Sequence, residues 1–81
     1  MKVIANIWDS FTTEPARVEL EVPMFTYADC RIALQNKVGD AASWHHLGSR
    51  MSSDGKSLRV ALSREVVQGR TDYSIEEFIR E

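Results

Sequence analysis

The sequence predicts an α+β domain with the element order ββαββα. In this reading an antiparallel or mixed four-stranded sheet carries one main helix on one face and a short C-terminal helix. Three observations lead there. Arg17 to Val22 alternates between apolar and charged side chains, Thr26 to Gly39 is bounded by helix start and stop signals, and Trp44 to Ser63 holds two apolar-patterned runs joined by Asp54-Gly55.

The elements follow in order. Val3 to Trp8 is rich in β-branched and aromatic residues with apolar side chains at both parities, which suits a central strand. Asp9 to Pro15 reads as a turn-rich connection. In the next run Val18, Leu20 and Val22 share one face and Arg17, Glu19 and Glu21 the other, the mark of a half-exposed strand. Pro23 ends it, because proline cannot donate to a ladder. Thr26 with Asp29 resembles a capping box, so the helix is expected over Tyr27 to about Val38, closed by Gly39. Tyr27, Cys30, Leu34 and Val38 form its apolar stripe; Ile32 lies off it. Asp40 to Ser43 leads to the hairpin.

Asp-Gly tolerates the positive φ angles of a type I′ turn, so Asp54 and Gly55 are expected at the centre of a two-residue hairpin. That register pairs Met51 with Leu58, Ser49 with Val60 and Leu47 with Leu62. Leu47, Met51, Leu58, Val60 and Leu62 then make an apolar face. Trp44, His46, Gly48, Arg50, Arg59 and Ala61 make the other, with Arg50 opposite Arg59. Like charges directly opposite are mildly destabilising, and an anionic partner would relieve them. Beyond Ser63, Arg64 to Val67 either extends the strand or begins a loop. Ser74 with Glu77 forms a second capping-box pattern, accompanied by Ile75, Phe78 and Ile79, and predicts a short helix that must dock on something.

At 81 residues there is room for one compact domain, residues 1–81, and one modest core. A net charge of −2 argues against the broad phosphate attraction of a strongly basic nucleic-acid binder. Cys30, the single cysteine, cannot form an internal disulfide, which suits a reducing compartment. No apolar run reaches the length of a membrane span, and Asn6 and Asp9 break the N-terminal run too early for a signal peptide. The expected location is cytoplasmic, with no membrane partner.

His45 and His46 are adjacent, and on a strand neighbours point to opposite faces, so no metal site is expected. Cys30 with a histidine lacks an orienting group and an oxyanion site, so no enzyme activity is expected. The four glycines are scattered, which leaves no phosphate loop and no cofactor. What remains is a surface. Gly48 opposite Ala61 leaves a trough flanked by Arg50, Arg59, His46 and Trp44, and arginine beside an aromatic is the composition of a binding hot spot. Trp8 either joins that face or belongs to the core.

The expected function is therefore a small non-catalytic protein-binding module, a regulator or stoichiometric inhibitor of a larger protein or complex. Accessory proteins of phages and mobile elements, including inhibitors of bacterial defence systems, are often of this kind. The partner-binding set is Trp44, His46, Arg50, Arg59 and Trp8. The alternative is a nucleic-acid-binding regulator that stacks bases on the same sheet face. A homodimer would complete a small core and cuts across both readings.

Overall fold

The computed structural model describes residues 1–9, 13–39 and 44–81. The connection expected over 40–43, and the middle of the one expected over 9–15, lie outside the described residues. The elements are β1 (Lys2–Asp9), β2 (Ala16–Glu21), α1 (Tyr27–Val38), β3 (His45–Met51), β4 (Ser57–Val67) and β5 (Arg70–Arg80). They form an α+β fold in which one antiparallel sheet has the order β2-β1-β5-β4-β3. Five strands and, among the described residues, one helix replace the expected four and two.

The segment expected as a terminal helix is the middle strand of the sheet. Glu77 of β5 pairs with Asn6 of β1 on one side and Arg59 of β4 on the other. Ser74 caps nothing: its hydroxyl donates to the Trp8 carbonyl, 3.0 Å away. Arg64 to Val67 extends β4, and Gly69, at φ 78°, helps turn the chain into β5.

The helix has the expected bounds. Thr26 Oγ1 accepts from the Asp29 N–H at 3.2 Å, and Gly39, at φ 76°, donates its N–H to the Gln35 carbonyl. Cys30 and Leu34 are buried, but the stripe ends there, because Val38 faces outward with Ile32. The helix crosses the strands. Tyr27 stacks on His46 of β3, Arg31 reaches Glu76 of β5, and the Lys37 ammonium donates to the Glu19 carbonyl of β2. Val3, Ala5, Leu20, Val22, Leu58, Val60, Leu62 and Phe78 fill the space beneath it with Cys30 and Leu34.

The β3–β4 hairpin corrects two details. Among the described residues none other than glycine has a positive φ, so Asp54 does not adopt the type I′ geometry; of the two turn residues Gly55 alone, at φ 71°, takes the left-handed position. Asp54 instead accepts from the Ser52 hydroxyl and the Lys56 N–H, and these bonds lower its pKa in that order. Pairing of Met51 with Leu58, Ser49 with Val60 and Arg50 with Arg59 is as expected. A bulge between His46 and Gly48 then throws Leu47 out of register, and His46 takes the place opposite Leu62.

Candidate functional site: the uncovered sheet face

The helix covers one face of the sheet, and among the described residues no second layer covers the other. Strand parity and register assign the side chains of this outer face in rows across the strands. One row runs Arg17, Asn6, Glu77, Arg59, Arg50. On one side of it lie Ile4 and Ile79; on the other lie Trp8, Ile75, Ala61 and Gly48, followed by Tyr73. Tyr73, Ile75 and Ile79 are 57%, 43% and 36% exposed, a large apolar content for a face open to water.

Three of the expected partner-binding residues, Trp8, Arg50 and Arg59, belong to this face. Val3 and Ala5 are fully buried toward the helix, so Trp8, of opposite parity, is half-buried on the outer side beside Ile75. The trough between Gly48 and Ala61 is present as an open groove of about 410 Å³ that also touches Arg50, Arg59, Met51 and Glu77. Arg59 has a counterion that the sequence reading did not anticipate: its Nη2 lies 3.0 Å from Glu77 Oε2. The charge of the Arg50–Arg59 pair is thus half-compensated from within the sheet.

The other two expected residues are elsewhere. The bulge at Leu47 inverts the parity of everything before it, so His46 is on the helix side, its ring centroid 4.6 Å from that of Tyr27. Trp44 packs against the core, and the Arg64 guanidinium sits 4.4 Å from its ring centre. His45, opposite Ser63, takes the outer face instead. Ile75, Glu77 and Ile79 fall in the segment expected as a terminal helix, and Tyr73 lies just before its expected cap, so none of the four is among the expected site residues. The signal was present as the period-2 recurrence of Tyr73, Ile75 and Ile79.

Beneath the helix a polar group of unusual burial accompanies the core. Arg31 Nη1 and Glu76 Oε2 pair at 2.5 Å, with both side chains largely buried. Among the described residues Glu76 Oε1 has no hydrogen-bond partner. Burial raises the Glu76 pKa, and the charge and hydrogen bond of Arg31 oppose the rise only in part. Asp72, also buried, stands opposite Arg64 on β4.

Burial, and secondarily the charge of Asp29, pushes the Cys30 thiol up to about 11. It is buried in the core and holds its proton at neutral pH. Iodoacetamide should alkylate Cys30 only at the rate at which the protein opens, and rapid alkylation of folded protein would contradict this. Among the described residues no three His, Cys, Asp or Glu side chains come close enough together to hold a metal ion. No described helix is long and apolar enough to cross a membrane.

Comparisons with models of known protein families, with curated proteins and with solved structures found no match to this chain. Function has to be argued from the residues themselves.

Proposed function

We propose that this protein is a small non-catalytic binding module that docks a partner protein on its outer sheet face. It acts by occupying that partner, as a regulator or stoichiometric inhibitor of a larger protein or complex. A chain carried by a phage or mobile element to inhibit a bacterial defence system is one setting that fits such a role. The observation that carries the reading is the exposure of Tyr73, Ile75 and Ile79 around the Arg59–Glu77 pair on a face that no layer covers among the described residues. Apolar and aromatic side chains encircling a few oriented charges are the composition of a protein-docking surface. Arg50, Arg59 and Trp8 remain as anchors, joined by Tyr73, Ile75 and Ile79; Trp44 and His46 drop out.

Nucleic acid is the weaker reading for the same face. Glu19, Glu21 and Glu77 share it with the arginines, and their charge opposes phosphate. Capture from a lysate of the native host, with and without nuclease, separates the two. A stoichiometric, nuclease-resistant protein that the Arg50→Ala/Arg59→Ala variant retains poorly supports the proposal. Nuclease-sensitive recovery would replace it with the nucleic-acid reading, and undiminished capture by a folded variant would remove the arginines from the site.

A further inference from the structure

Both sheet edges expose backbone, and they are not equivalent. At the β2 edge the Lys37 ammonium already occupies the Glu19 carbonyl at 2.8 Å, and Pro15 and Pro23 bracket the strand. Lysine and proline are the usual devices that keep a second strand off an edge. Among the described residues the β3 edge has only the bulge at Leu47, which limits its regular part to the stretch from Gly48 to Met51.

Along that stretch the direction of the backbone groups can be fixed. The Ser52 N–H donates to the Ser57 carbonyl at 2.8 Å, so Ser52 and Ser57 form a hydrogen-bonded pair of the antiparallel ladder. Hydrogen-bonded and non-hydrogen-bonded pairs alternate. Arg50 and Gly48 therefore bond inward to β4, whereas the N–H and C=O groups of Ser49 and Met51 point away from it, to the open edge. The side chains alternate too: Arg50 projects on the outer face and Met51, 42% exposed, on the helix side.

We infer that the β3 edge takes up an extended acidic segment of the partner, which adds to the sheet as a sixth strand. The inference rests on the docking function proposed above and identifies the chemistry of the segment. Backbone groups of Ser49 and Met51 supply the ladder bonds. The residue of the segment beside Arg50 carries a carboxylate. Arg59 is tied to Glu77, and among the described residues nothing pairs with Arg50, so an incoming carboxylate meets a net positive rim. Its neighbours along the segment, projecting on the helix side beside Met51, are apolar. The recognised pattern is thus acidic and apolar residues in alternation, over the short length that the bulge leaves free. Pairing two β3 edges of this chain in the register that uses the outward groups of both Ser49 and Met51 would set Arg50 opposite Arg50, which disfavours a second copy as the occupant.

The test uses a capped synthetic peptide of alternating glutamate and valine, titrated into the isotope-labelled full chain and followed by backbone amide NMR. Saturable shifts should centre on Ser49, Arg50 and Met51, and the same peptide with lysine for glutamate should leave the spectrum unchanged. Arg50→Glu should weaken binding by roughly tenfold or more. Ser49→Pro removes an outward N–H without touching the β4 ladder, so it should abolish binding and leave the rest of the spectrum folded. Binding indifferent to Ser49→Pro, or no shifts at the highest soluble peptide concentration, would overturn strand addition. Should the natural partner be captured normally by Ser49→Pro and lost by Arg50→Ala/Arg59→Ala, the docking face stands and strand addition alone fails.

Discussion

Glu76 and Glu77 are adjacent on β5, each is paired with an arginine, and the two pairs live in different solvents. Glu76 turns toward the helix, where it and Arg31 are 6% and 13% exposed. Glu77 turns outward, where it and Arg59 are 20% and 66% exposed. The inner pair has lost its hydration, so each partner depends on the other. The outer pair keeps water within reach and contributes little to stability, which leaves Arg59 and its surroundings available for binding. One side of the sheet is committed to folding and the other is free to carry function.

The sharpest way to break this contrast is to remove one inner partner. Arg31→Ala should destabilise the protein by about 3–5 kcal/mol at neutral pH, read from chemical denaturation, because Glu76 is left buried and alone. The double variant Arg31→Met/Glu76→Leu should recover most of that loss, since an apolar pair of similar volume suits the site. A small effect of Arg31→Ala would mean that water reaches Glu76.

Next comes pH. Burial raises Glu76 above its ordinary 4.5, so the folded protein holds a proton that the unfolded chain releases. The stability contributed by this group is complete below the unfolded value. It declines as pH rises from about 4.5 through the raised folded value. The stability difference between wild type and Glu76→Gln, measured by urea unfolding across that window, should fall with rising pH; a rising difference would reverse the assignment. Smallest is the outer pair. Arg59→Ala should change stability by no more than about 1 kcal/mol, less in high salt, and a larger loss would make this face structural as well.

The same contrast explains what was legible in the sequence. β2 and the helix were readable because apolar residues face the core and charges face water, as at Val18 to Glu21 and at Cys30 and Leu34. In β5 the pattern is inverted over most of its length. Ser74 and Glu76 point inward to the Trp8 carbonyl and Arg31, and Asp72 is buried on the same side, in register with Arg64, while Tyr73, Ile75 and Ile79 point outward. The period-2 recurrence of Tyr73, Ile75 and Ile79 marks a strand, but it does not say that the polar side is the buried one, because the partners of that side come from other elements. A single bulged residue, Leu47, hid the rest: it moved His46 and Trp44 to the helix side, and nothing in the local sequence marks it. Arg50 and Arg59, beyond its influence, kept their expected face, and Trp8, which the sequence leaves between face and core, is half-buried on the outer side.

The most direct test of the outer face uses two isoleucines on opposite sides of the molecule. Ile75 on the sheet is 43% exposed and Ile32 on the helix is 56% exposed, so glutamate at either site should leave the fold intact. Capture of the partner from native host lysate should be lost with Ile75→Glu and retained with Ile32→Glu. Loss with Ile32→Glu and retention with Ile75→Glu would contradict the account and move the docking surface to the helix.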